Sequence, residues 1–183
     1  MTEFANHIRT LVESHGDDKI QIIADIIAFA KQAGYTIADV DDTKPWGGFV
    51  RFDYKDGDQF VGEFFPNVNP AEARLGNPDA ELSPKILLVA PEQRLSWQVH
   101  TRRAERWKFL NSGGYHKSID PDNPGELIEA HAGDEVQFES GECHRLVGAK
   151  DEYTFVAEIW QHTDKNSPSD EADITRLQDD YKR

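Results

Sequence analysis

Leu95-Ser96-Trp97-Gln98-Val99-His100-Thr101-Arg102-Arg103-Ala104-Glu105-Arg106-Trp107 sets an amide oxygen, an imidazole and a carboxylate within eight positions of a β-patterned run. Gln98 and His100 are two residues apart, so on a strand both side chains leave the same face, as two ligands of one ion must. Glu105 lies an odd number of residues after His100, and a straight strand sends it to the opposite face. A turn or bulge within 101–104 brings it back. With that bend Gln98, His100 and Glu105 all point inward, and Trp107 and Phe109 share Glu105's face. A polar cluster in an apolar wall is the composition of a binding pocket. Further on, Gly141-Glu142-Cys143-His144-Arg145-Leu146 offers a second imidazole beside a turn glycine. Gln98, His100, Glu105 and His144 form a mixed nitrogen and oxygen set, which suits a borderline divalent transition metal and leaves positions open for substrate. The rival is a solvated strand whose His and Glu serve no ion. Against it, His144 follows Glu105 by 39 residues, enough for the second half of a small barrel, and the intervening chain is β-patterned throughout.

Strand signals crowd this region at 85–90, 95–100, 105–110, 114–117, 126–130, 134–138, 143–147 and 153–160. Turn clusters such as Asn111-Ser-Gly-Gly114 and Asp120-Pro-Asp-Asn-Pro-Gly125 separate them. Many short strands at regular spacing predict an antiparallel sandwich or barrel, with 35–165 as its extent. Two further strands are expected at 47–53 and 59–64, joined by the turn Lys55-Asp-Gly-Asp58. The stretch 66–84 reads as a long loop with one helical turn at 71–75, of the kind that serves as a lid or binding loop.

Residues 1–34 read as a helical extension. A first helix over about 3–14 puts Phe4, Ile8, Leu11 and Val12 on one stripe. A second opens after His15-Gly16 with Asp17 and Asp18, acids suited to a helix N-terminus, and stops at Gly34. Its isoleucines, Phe29 and Ala30 cover more than the usual ~100° stripe. It therefore packs on two things, the body of the domain and either the first helix or a second subunit, and a homodimer is expected. Residues 166–183 read as a short terminal helix, capped by Ser167 with Pro168 at its first position, and a polar tail.

The chain has 183 residues and a net charge of −14. So acidic a chain makes a poor partner for nucleic acid or an anionic membrane. One cysteine, Cys143, leaves no intramolecular disulfide and fits a reducing cytosol. No basic leader opens the chain and no apolar run is long enough to span a bilayer, so a cytoplasmic protein is expected. Trp46 and Trp97 read as packing, Cys143 as a small apolar residue facing away from the ligands, and His131 and His162 as surface or supporting residues.

Beyond this residue-level reading, the chain resembles a known family. Lys44-Pro-Trp-Gly-Gly48, the 95–107 stretch, His144-Arg-Leu146 and the ending Asp173-Ile-Thr-Arg-Leu-Gln-Asp-Asp-Tyr-Lys-Arg183 are similar, in that order, to the cupin module of type II phosphomannose isomerases. Ser83-Pro-Lys-Ile-Leu-Leu-Val-Ala90 and Ala157-Glu-Ile-Trp-Gln-His162 resemble small stand-alone cupins identified as phosphoheptose isomerases. The resemblance runs from Lys44 to the C-terminus and leaves out the helical pair. It implies a mainly β cupin barrel (double-stranded β-helix, or jelly roll) and one divalent metal, zinc first, with manganese, iron, cobalt or nickel as alternatives. Gln98, His100, Glu105 and His144 would be its ligands. The implied reaction interconverts an aldose phosphate and a ketose phosphate, mannose 6-phosphate and fructose 6-phosphate foremost. A heptose phosphate or free sugar, or a non-catalytic sugar-binding module, stands as the alternative. The chain departs from the family at Thr101, Arg102 and Arg106, where histidines are usual, and at Lys182, where the family has glycine.

Isomerisation through an enediolate needs an electrophile on the oxygens and a base over the carbon. Glu158 and Lys108 are candidate bases by region alone, and Lys108 has the outward parity. Arg103 shares Glu105's parity and carries a fork that suits a phosphate or an enediolate.

Overall fold

Alternating apolar and polar residues build two antiparallel sheets, and the chain crosses between them at almost every turn. In a computed structural model that describes residues 4, 6–8, 10, 11 and 18–181, the first sheet contains β1 (Ile37–Asp41), β2 (Gly47–Phe52), β3 (Lys85–Val89), β5 (Arg103–Phe109), β8 (Glu135–Phe138) and β10 (Thr154–His162). The second contains β4 (Trp97–Val99), β6 (Gly113–Ser118), β7 (Ile128–Ala130), β9 (Cys143–Gly148) and β11 (Thr175–Gln178). Their strand orders are β1-β2-β3-β10-β5-β8 and β11-β4-β9-β6-β7. From β3 onward the chain visits first, second, first, second, then second, first, second, first. This is the double-stranded β-helix of cupin barrels. Between the sheets, Leu87, Trp107, Phe109, Phe138 and Val156 of the first meet Ala130 and Leu146 of the second.

The outer face of the first sheet is closed by helices. In α1 (Lys19–Gln32) the side chain of Asp18 accepts from the Gln21 N–H, and Ile22, Ile23, Ile26 and Ala30 are buried. They share a core with Val50, Phe52, Ile86, Leu88, Phe155, Ala157 and Ile159 of the sheet. Phe4, Ile8 and Leu11, helical in the described part of the first helix, join this core. The helical pair thus covers the barrel wall. Val12, Gly16, Asp17 and Lys182 lie outside the described residues.

Three expectations change. Residues 59–64 are not a strand but the end of α2 (Gly57–Phe64). Phe60, Val61 and Phe64 fall on one helical face and all three are buried, so tertiary burial overrides their β propensity. A strand absent from the sequence reading, β1, pairs with β2 and widens the first sheet beyond the barrel. The expected helical turn at 71–75 is α3 (Pro70–Ala73), capped by Asn69. The expected C-terminal helix does not form. Asp164 and Asp170 accept backbone N–H groups at Asn166 and Ala172, local bonds that compete with a helix, and the chain then enters β11 against β4. No helix among the described residues is long and apolar enough to cross a membrane.

Candidate metal centre

Three side chains meet where the sheets converge: His100 just past β4, Glu105 on β5 and His144 on β9, with ligand atoms all within 4.8 Å of one another. The bend needed to bring Glu105 to His100's side is real. Thr101 and Arg102 form the corner where the chain leaves the second sheet for the first. Asp173 holds that corner, its carboxylate accepting from both backbone N–H groups and from the Thr101 hydroxyl. Thr101 and Arg102, where the chain leaves the family pattern, therefore bind the C-terminal segment. Across the site, Gly141 adopts φ +83°, and its N–H donates to the carbonyl of His100, tying the turn before His144 to the other ligand loop.

The protonation pattern follows from the partners. His100 Nδ1 faces the backbone carbonyl of Asp173, and His144 Nδ1 faces that of Glu142. Carbonyls only accept, so each Nδ1 carries hydrogen and each Nε2 presents a lone pair. His100 Nε2 then lies 3.1 Å from Glu105 Oε1, and His144 Nε2 lies 3.2 Å from Glu105 Oε2. Lone pair faces lone pair in a site that is at most 2% exposed. Glu105 Oε2 and His144 Nε2 are close yet not aligned as a hydrogen bond, and neither has another partner. Buried acceptors turned on one another cost free energy unless a cation joins them. The donor set fits a divalent metal. Burial opposes ionisation of Glu105, but positive charge beside it, the Arg103 guanidinium at 2.9 Å, holds its pKa below the usual carboxylate range. Burial pushes His144 down against the pull of Glu105, which favours the neutral, ligating imidazole. Gln98 stands opposite His144 in the β4–β9 register and is buried; its Oε1 accepts from the Ser96 hydroxyl at 2.9 Å.

The other expected residues separate clearly. Arg103 is buried over Trp160, 4.0 Å from the ring centroid, with Nε on Glu105 Oε1 at 2.9 Å. Its Nη1 donates to Ser169 Oγ and to the carbonyls of Asp170 and Asp173. The fork expected to hold a phosphate is thus largely committed to a ligand and to the C-terminal segment. Lys108 does not join the site. It projects from the other face of β5, and its ammonium donates to the carbonyl of Phe64 at 2.9 Å. Arg106 shares that outer face and reaches Glu135, Gln137 and Gln161.

Glu158 is the residue that changes the reading. It sits opposite Trp107 in the β5–β10 register and opposite Lys85 in β3–β10, which places all three on the inner face. Trp107 Nε1 donates to Glu158 Oε2 at 3.0 Å, and Lys85 Nζ is 3.7 Å from Oε1. Burial, aided by the charge of Glu105 and opposed by Lys85 and Arg103, raises its pKa to about 7. Glu158, Glu105, Gln98 and Arg103 open onto one cavity of about 520 Å³. The β1–β2 extension supplies one flank of that cavity and Ile174 and Arg176 another. Sequence reasoning passed over Lys85, Asp173 and Arg176. A lysine inside the apolar run 85–89, in phase with Leu87 and Val89, was a readable signal. Asp173 and Arg176 depend on pairing across the whole barrel.

With this geometry in place, comparison with known proteins bears on the fold. A capsular polysaccharide assembling protein, CapF of Staphylococcus aureus, is 13% identical with a TM-score of 0.51, over 93% of this chain and 42% of that one. A Cupin 2 conserved barrel domain protein from Salinispora arenicola matches 44% of this chain and 62% of its own at 22% identity and a TM-score of 0.38. A conserved protein with a double-stranded β-helix domain from Klebsiella pneumoniae matches 51% of this chain and 71% of its own at 18% identity and a TM-score of 0.39. The chain spans less than half the length of the Staphylococcus protein. No protein-family model matches the chain, and no curated protein matches it.

Proposed function

We propose that this chain is a metal-dependent aldose–ketose isomerase acting on a sugar phosphate, with mannose 6-phosphate and fructose 6-phosphate as the leading pair. The observation that carries the reading is Glu158. It is a buried carboxyl with a pKa raised to about 7, opening on the same cavity as Glu105, the carboxylate of the His-Glu-His triad. Moving hydrogen between C1 and C2 requires one group that takes a proton from carbon and gives it back near neutral pH. Glu158 meets that requirement, and the Trp107 indole fixes which oxygen is free to act. His100, Glu105 and His144, with Gln98 beside them, would hold the ion. When bound it supplies Lewis-acid polarisation of the substrate's adjacent oxygens. A dication held beside Glu105 would favour the ionised form of Glu158. Arg103 orients Glu105, and Lys85 steadies the charge on Glu158 in the ionised half of the cycle.

A free-sugar substrate is the second reading. Five carboxyl groups line the cavity (Asp39, Asp41, Glu105, Glu158 and Glu171) against four cations (Lys44, Lys85, Arg103 and Arg176). Metal analysis of untagged protein, paired with an aldose–ketose assay over sugar phosphates and free sugars, tests the proposal. One ion per chain with turnover of a sugar phosphate is expected. Bound metal without turnover of any of these sugars would overturn it in favour of a sugar-binding cupin.

A further inference from the structure

An anionic substrate needs a cation that is not already committed, and the cavity has four to choose from. Arg103 is used on Glu105, Ser169 and two carbonyls. Lys85 lies between Glu158 at 3.7 Å and Glu171 at 3.1 Å. Lys44 is paired with Asp41 at 2.8 Å, which helps hold that carboxyl at a pKa of about 2 against its partial burial. The Arg176 guanidinium makes no hydrogen bond or ion pair among the described residues, although 34 acidic residues crowd the chain.

Its position is equally particular. Arg176 is on β11, opposite Gln98 in the antiparallel register with β4. Paired residues on neighbouring strands send their side chains to the same face, with Cα atoms about 5 Å apart. The guanidinium therefore projects from the ligand-bearing face of the second sheet, one strand out from Gln98. Arg176 is exposed, whereas Glu105 of the triad and Glu158, which line the same cavity, are buried, so the arginine stands at its mouth. A sugar phosphate has the same polarity, with its reacting carbons at one end and its dianion at the other.

We propose that Arg176 binds the substrate's phosphate, so that β11 makes the cavity selective for phosphorylated over free sugars. This rests on the isomerase reading above for the sugar, but the anion site can be tested separately. A planar fork pairs with two phosphate oxygens at once, a geometry that lysine does not reproduce.

The test is calorimetric binding of mannose 6-phosphate, mannose and inorganic phosphate to the metal-loaded protein, to Arg176→Gln and to Arg176→Lys, with kcat and KM measured alongside. Expected is a preference of wild type for mannose 6-phosphate over mannose. Arg176→Gln should weaken mannose 6-phosphate by roughly 10- to 100-fold, the range for hydrogen bonds to charged groups. Mannose affinity and metal content should be unchanged, KM for mannose 6-phosphate should rise in step with the lost affinity, and Arg176→Lys should restore part of the loss. Unchanged affinity and KM for mannose 6-phosphate in Arg176→Gln would overturn Arg176 and leave the isomerase reading in place. Arg176-dependent binding of mannose 6-phosphate without turnover would support Arg176 and remove the isomerase reading.

Discussion

Along β10, Phe155, Ala157 and Ile159 face the helices, whereas Val156, Glu158, Trp160 and His162 lie on the opposite, inner face. β3 divides the same way, with Ile86 and Leu88 outward and Lys85, Leu87 and Val89 inward. Along these two strands Ile86, Leu88, Phe155, Ala157 and Ile159 on the outer side are all apolar and buried, whereas the inner side, with β5, carries Lys85, Arg103, Glu105 and Glu158 in addition to Trp107 and Trp160. The outer face has the composition that maximises apolar burial. The inner face holds ionisable groups where desolvation works against their charged forms. The same strands therefore serve stability on one side and chemistry on the other, and substitutions on the two faces should separate the two properties.

The largest effect is expected from Glu158→Gln, which keeps the shape of the inner face and removes its base. Under the isomerase reading, kcat should fall by roughly 10²–10⁴-fold while the bound metal stays. Phe155→Ala, three residues away on the outer face, should do the reverse. It should cost about 3–5 kcal/mol of stability in denaturant unfolding, with metal content unchanged below the unfolding transition.

A pH series sharpens the contrast further. The Glu158 pKa is raised in the folded metal-free protein from 4.5 to about 7. Below pH 4.5 it is protonated in both states. Between the two values the unfolded chain loses the proton first, so stability falls as pH rises and levels off above 7. The difference in stability between metal-free wild type and Glu158→Gln should shift by about 3 kcal/mol in the variant's favour from pH 4 to pH 8. A flat difference would mean that the carboxyl is not desolvated. The smallest effect is expected at Asp173. Burial works against its ionisation, but the Thr101 and Arg102 N–H groups and the Ser169 and Thr101 hydroxyls hold its pKa near 2. Its contribution to stability is present above pH 4 and fades as pH falls through 2. Asp173→Asn loosens the corner behind His100 and should weaken metal binding by roughly 10-fold, the lower end for residues that support ligands.

These contrasts also show what could be read from the chain. The barrel was legible because eight of its strands alternate strongly between turn clusters, and the triad because parity with one bend aligned His100 and Glu105. Residues 59–64 were misread because Phe60, Val61 and Phe64 are strand formers whose i, i+1, i+4 spacing marks a helix once there is a sheet to bury against. β1 was passed over because Ile37-Ala-Asp-Val-Asp41 is half exposed and carries two aspartates at an edge. Lys108 and Glu158 were candidates by region, with parity turning Lys108 outward, and pairing of β5 with β10 places Glu158 on the inner face. Arg176 was invisible because its face is set by a strand 78 positions earlier.

The measurement that bears most directly on the inner face as a metal centre is titration of Mn²⁺ and Zn²⁺ into metal-stripped protein, comparing wild type with His144→Ala by calorimetry. The account predicts one ion per chain in wild type and loss of that site in the variant, with folding retained by circular dichroism. Failure of wild type to bind either ion, or identical binding by folded His144→Ala, would contradict it.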